Sequence, residues 1–184
     1  MTNRLRPEEI HSRYRDQIST QDYTPRERIE GVKIVELRRF VEDGGSFCEL
    51  ARFDEKGELI GLPGFRPSQV NASEMLPGTI KAFHLHYNQE DAWFVSPSQR
   101  LLVGLKDLRE DSPTKDVEMR FVLGDGRAQL LYIPRGVLHG VANVWPQSAT
   151  ILYFVNQFFD AKDPDERRLP WDLMGADFWE IQKG

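Results

Sequence analysis

The sequence predicts an all-β sandwich or barrel, on three observations. From Val32 onward the chain breaks into about ten short β-prone runs. Turns rich in Gly, Pro and Asp separate these runs at regular spacing. No long amphipathic helix interrupts the series. At 184 residues, with 40% hydrophobic and 11% aromatic content, the chain can bury a sizeable core as one domain.

The elements follow in order. Residues 1–30 are polar and read as an N-terminal arm. Within it Pro7-Glu8-Glu9-Ile10 opens a short helix through about Gln17, with Pro early and acids in the first turn. His11 reads as a surface histidine, and Thr24-Pro25 breaks the pattern. Residues 31–160 carry the strands. The first is Val32–Leu37. Asp43-Gly44-Gly45 is a turn before a strand over Ser46–Arg52, and Glu55-Lys56-Gly57 is another turn. Gly61, Pro63, Gly64 and Pro67 make 61–68 a loop. Further strands cover Gln69–Ser73, Thr79–His86, Ala92–Ser96 and Arg100–Leu105. Glu118–Leu123 and Ala128–Ile133 flank Gly124-Asp125-Gly126, which reads as a hairpin. Val137–Asn143 and Ala149–Asn156 complete the set. Residues 161–184 form a polar tail with a short aromatic end, packed on the barrel.

The bulk numbers exclude several functions. A net charge of −5 gives no basic footprint for nucleic acid. No apolar run approaches the ~20 residues of a membrane span, and the first residues carry no signal-peptide core. Cys48 is the single cysteine. It allows no intrachain disulfide, reads as a buried strand residue, and leaves the cytoplasm as the expected location.

Chemistry concentrates in two stretches. Three of the four histidines lie there: His84 and His86 in Gly78–Glu90, and His139 in Pro134–Asn143. Two residues apart on a strand, His84 and His86 share a face. Such a cluster can supply a general base or hold a metal ion. The stretches read G-x5-H-x-H-x3-E and P-x-G-x2-H-x3-N, and they resemble the two motifs of the cupin superfamily. That resemblance implies a double-stranded β-helix, or jelly roll. Its metal-dependent members imply His84, His86, Glu90 and His139 as ligands. Three imidazoles and a carboxylate suit Zn, Fe, Mn or Ni.

A closer resemblance covers most of residues 31–180. Asp43-Gly44-Gly45-Ser46-Phe47-Cys48-Glu49, Gln69-Val70-Asn71-Ala72-Ser73, Lys81-Ala82-Phe83-His84, Asp107-Leu108-Arg109 with Ser112-Pro113-Thr114, Ile133-Pro134-Arg135-Gly136 with His139-Gly140, Leu152-Tyr153 and Pro170-Trp171-Asp172 are similar to successive motifs of the dTDP-4-dehydrorhamnose 3,5-epimerase family. The resemblance implies an isomerase that acts on a nucleotide-linked 4-keto-6-deoxy sugar without a cofactor, as a homodimer. His84 would be the base and Tyr153 the acid. Lys81 would stand beside the keto oxygen, and Glu49, Asn71, Phe47 and His139 would bind substrate. Alternation places Lys81 opposite His84, so its role requires a bulge or an end-of-strand twist. Asp107 and Arg109 read as a structural ion pair.

The chain departs from the family pattern at several places. An arginine is replaced by Gly44, another by Lys81, and a glutamine by His86. A lysine is replaced by Trp93 or its neighbour, and a second aromatic falls on Phe159 without a hydroxyl. The acidic partner of the base is not found in the C-terminal segment. A metal-dependent cupin and a non-catalytic sugar-binding relative therefore stand as alternatives.

Overall fold

A computed structural model describes residues 4–183; Met1–Asn3 of the arm and Gly184 of the tail lie outside it. The strands are β1 Lys33–Glu36, β2 Arg39–Glu42, β3 Gly45–Cys48, β4 Gln69–Met75, β5 Ile80–Leu85, β6 Asp91–Val95, β7 Arg100–Asp107, β8 Glu118–Gly124, β9 Gln129–Ile133, β10 Val137–Ala142, β11 Ala149–Val155 and β12 Arg167–Arg168. They form two five-stranded antiparallel sheets, ordered β1-β9-β6-β11-β4 and β12-β5-β10-β7-β8, beside a separate β2-β3 hairpin. This is a jelly roll.

Three apolar layers hold it together. The inner faces of the two sheets meet through Trp93, Val95, Leu131 and Ile151 from one side and Leu101, Val103, Leu105 and Val141 from the other. Leu59, Leu62 and Phe65, from the segment between β3 and β4, cover the outer face of the first sheet against Ala92, Phe94, Leu130 and Phe154. Phe178 and Trp179 of the tail cover the outer face of the second, against Phe83, Leu102 and Leu138. Strands covered on both faces read as unbroken apolar runs, and β6 and β10 are buried along their whole length. Gly104 admits the tail: a Cβ there would lie 2.5 Å from Phe178.

The structure corrects four sequence readings. Gly124-Asp125-Gly126 does not close a hairpin, because β8 pairs with β7 while β9 pairs with β1 and β6. The loop docks instead on the preceding turn, with Asp125 and Gly126 donating to the carbonyls of Gln99 and Pro97. Turn residues specify a change of direction but not a partner. The N-terminal helix is two pieces, a 3-10 turn at Pro7–Glu9 and one α-turn at Ser12–Arg15. The extended Ile10 and a cap on the His11 ring separate them. Cys48 is half-buried, because its hairpin lies outside the sandwich. Strands β2 and β12 had no sequence signal strong enough to assign them. No helix among the described residues is long and apolar enough to cross a membrane.

Candidate active site

A cavity of about 440 Å³ opens between the sheets. Its walls come from β5 and β10 on one side, from β4, β6 and β11 on the other, and from the tail around β12. His84, His86, His139, Lys81 and Tyr153 all line it. His84 and His139 are direct cross-strand partners, and their rings lie 6.1 Å apart. Tyr153 is on the opposing sheet, paired with Trp93 on β6 and Asn71 on β4. An imidazole and a phenol thus face the same space from opposite walls.

Lys81 reaches the cavity through a bulge. Between the pairs His139↔His84 and Val141↔Lys81, β5 carries Ala82 and Phe83 where β10 carries only Gly140. The extra residue reverses the alternation, so Lys81 and His84 share a face. Phe83 turns outward into the layer beneath Trp179. Gly140 makes room, since a Cβ there would stand 2.5 Å from the Ala82 Cβ. The Lys81 ammonium donates to Ser73 Oγ at 2.5 Å and to the Glu74 carbonyl at 3.2 Å.

Each imidazole is set by what holds its Nδ1. His84 Nδ1 lies 3.6 Å from a Glu166 carboxylate oxygen, and its Nε2 is buried without a hydrogen-bond partner. Burial lowers the His84 pKa; Glu166 pulls it back up and Arg168 lowers it further. His86 Nδ1 donates to the Asp165 carbonyl at 2.6 Å. His139 Nδ1 donates to the Val137 carbonyl at 3.0 Å. Burial, with His86 nearby, brings the His139 pKa down to about 3, so this ring stays neutral. Burial, with Asp91 and Glu166 nearby, raises the Tyr153 pKa, and the phenol keeps its proton.

The tail supplies what the sequence reading found missing. Glu166 is the acidic neighbour of His84, and Arg168 pairs with it. Strand β12 sets both against β5, with Arg168 opposite His84. Asp165 fixes this segment by accepting from the backbone N–H groups of Tyr87, Asn88 and Gln89 at 2.7–3.0 Å. No hydrophobic periodicity marks residues 163–168; their only signal is a dense run of acids followed by two arginines. Asp91 was also missed, although an acid abutting the apolar run Ala92–Val95 is a usable cue for a buried carboxylate.

Other assigned residues lie elsewhere. Phe47 and Glu49 sit on or beside the β2-β3 hairpin, where Phe47 is 60% exposed and Glu49 pairs with Arg52. Asn71, on β4, accepts from the Gln69 side chain. None of the three lines the cavity. The four-ligand metal set does not assemble. Glu90 lies against the Tyr132 hydroxyl, whose pKa burial and that carboxylate push up to about 12. The carboxylate that reaches the imidazoles is the adjacent Asp91, whose ligand atoms and those of His86 and His139 lie within 4.8 Å of one another. A one-residue error here reverses the face, because side chains alternate along a strand.

A cupin-type jelly roll that sets an imidazole and a phenol across one cavity has the groups that an isomerase moving protons would need. The family model described as dTDP-4-dehydrorhamnose 3,5-epimerase matches residues 26–177. The spore coat polysaccharide biosynthesis protein SpsL of Bacillus subtilis is 42% identical over 144 residues, spanning 78% of this chain and 91% of that protein. The probable low-salt glycan biosynthesis epimerase Agl13 of Haloferax volcanii is 31% identical over 78% of this chain and 89% of its own length. The Bacillus anthracis dTDP-4-dehydrorhamnose 3,5-epimerase, solved with TDP and pyrophosphate bound, superposes with a TM-score of 0.66 at 25% identity, covering 85% of this chain and 91% of that one. The chain belongs to the dTDP-4-dehydrorhamnose 3,5-epimerase family and is an isomerase, a carbohydrate epimerase.

Proposed function

We propose that the protein epimerises a nucleotide-linked 4-keto-6-deoxyhexose, with His84 removing a carbon-bound proton and Tyr153 returning one from the other side. The observation that carries this reading is the placement of His84 and Tyr153 on opposing sheets across one cavity. A 4-ketone acidifies the C–H bonds at C3 and C5. His84 is suited to take such a proton because its Nε2 is unpartnered and its lowered pKa keeps it neutral near pH 7. Glu166 beside Nδ1 stabilises the imidazolium that forms. The negative charge moves to the keto oxygen, where Lys81 provides an ammonium at the cavity wall. Tyr153, fully protonated, supplies the returning proton. No step needs a cofactor.

The substrate class follows from family membership and from the TDP bound in the Bacillus anthracis relative. The same reading includes a homodimer in the cytoplasm. Phe40, Val41 and Phe47 are exposed on the β2-β3 hairpin, an apolar surface and free edge that a second copy would cover. Because Phe47 and Glu49 lie outside the cavity, their substrate role requires this hairpin to reach a neighbouring copy.

The test is solvent deuterium wash-in, followed by NMR with a panel of 4-keto sugar nucleotides. His84→Asn should abolish exchange while the fold persists. Tyr153→Phe should slow net epimerisation more than exchange, with losses of ~10²–10⁴ in rate. Full exchange activity in His84→Asn would remove the base assignment.

A further inference from the structure

His86, Asp91 and His139 are all buried, and their ligand atoms lie within 4.8 Å of one another. Both imidazoles donate Nδ1–H to a backbone carbonyl, the arrangement that normally aims Nε2 at a metal. Two imidazoles and a carboxylate would suit a divalent transition-metal ion. Another group already stands among them. The Gln89 side-chain amide nitrogen lies 2.9 Å from Asp91 Oδ1 and 3.2 Å from His86 Nε2.

The orientation of that amide follows from its neighbours. Asp91 Oδ2 accepts from the Trp93 indole N–H at 2.9 Å, so Oδ1 also calls for a donor. His86 Nε2 bears a lone pair, because its proton is on Nδ1. The two N–H bonds of one amide group satisfy both acceptors. Hydrogen bonds of about 3 Å also hold the acceptors further apart than coordinate bonds of about 2.0–2.2 Å would.

We infer that Gln89 takes the place of a metal ion in this cupin: its amide protons occupy the position between His86 and Asp91 and close a latent divalent-cation site made of His86, Asp91 and His139. The neutral amide satisfies the buried carboxylate and fixes the His86 tautomer. The native protein therefore excludes Zn²⁺ and Co²⁺ from this site even though it carries the donors for them. Removing the amide opens the site.

The experiment is titration of chelator-treated, desalted protein with Co²⁺ and Zn²⁺, read by visible absorption and equilibrium dialysis. Wild type should bind no stoichiometric metal. Gln89→Ala should gain one equivalent, at least about ten- to hundredfold tighter than wild type, the range a group beside metal ligands controls. Gln89→Glu should gain it too, because it replaces the amide donor with a second carboxylate ligand beside Asp91. Adding Asp91→Asn to Gln89→Ala should abolish the gain. Stoichiometric, Asp91-dependent binding by wild type would overturn the inference. So would the absence of binding in both folded Gln89 variants. Imidazole ¹⁵N NMR of the wild type gives a test independent of variant folding: His86 should be protonated at Nδ1 alone, and protonation at Nε2 would also overturn it.

Discussion

Glu166 places a carboxylate oxygen 3.6 Å from His84 Nδ1, from a segment that joins the sheet through only two strand residues. The same carboxylate pairs with Arg168. The ionisation of His84 is thus set by burial, which lowers its pKa most, and by two opposed charges on the tail: Glu166 raises it and Arg168 lowers it further.

This opposition has a readable sign. A carboxylate beside an imidazole favours the imidazolium and raises its pKa, and a guanidinium does the reverse. With His84 as the proposed base, activity requires its neutral form, so it should fall as pH drops through that pKa. In profiles of kcat/KM against pH, Glu166→Gln should move the acidic limb to lower pH and Arg168→Gln should move it to higher pH. Displacement of both in one direction would show that the limb belongs to another group.

The bulge in β5 is also testable. Gly140→Ala introduces a Cβ that must displace Ala82 and with it the backbone between Lys81 and His84. Overpacking of this kind costs about 1–3 kcal/mol. A misplacement near 1 Å can reduce turnover by about 10²-fold. We expect a folded protein with reduced kcat and partial rescue by Ala82→Gly in the same chain. Unchanged kcat in Gly140→Ala would mean that the register of Lys81 is irrelevant to the chemistry.

Asp107 anchors the end of β7. It is fully buried and pairs with Arg109 at 2.8 Å, and it also accepts from Ser112 and Thr114. Burial alone would raise its pKa, but these hydrogen bonds outweigh burial and hold it well below the usual carboxylate range. Its contribution to stability is therefore present above about pH 4, the unfolded carboxylate value, and is lost as pH falls through the lower folded value. Asp107→Ala, which strands Arg109, should cost roughly 3–5 kcal/mol at pH 7. Urea denaturation at pH 7 and below pH 4 should show that cost shrinking with acidity. A cost independent of pH would assign it to packing instead.

Most of the fold could be read from the sequence, because its cause is local. Ten of the twelve strands follow from β-prone runs bounded by turns. The convergence of His84, His86 and His139 on one cavity followed from two motifs, each with its own spacing. What could not be read was set between distant segments. The partners of β8 and β9 depend on which sheet each strand enters, and an Asp-Gly turn does not carry that information. The face of Lys81 depends on one inserted residue opposite Gly140. Glu166 comes from a polar stretch that becomes a strand only because β5 offers an open edge and Asp165 fixes the adjoining loop. Asp91 was passed over for Glu90 because the choice between neighbours is a choice between faces.

The tail also sets an order of events during synthesis. Strands β1 to β11 leave the ribosome before Asp165, Glu166 and Arg168 do, and Trp179, which packs over Gly104, comes later still. On the growing chain His84 and Tyr153 are therefore made before the carboxylate that stands beside His84, so the surroundings of this imidazole are the last part of the cavity to be synthesised.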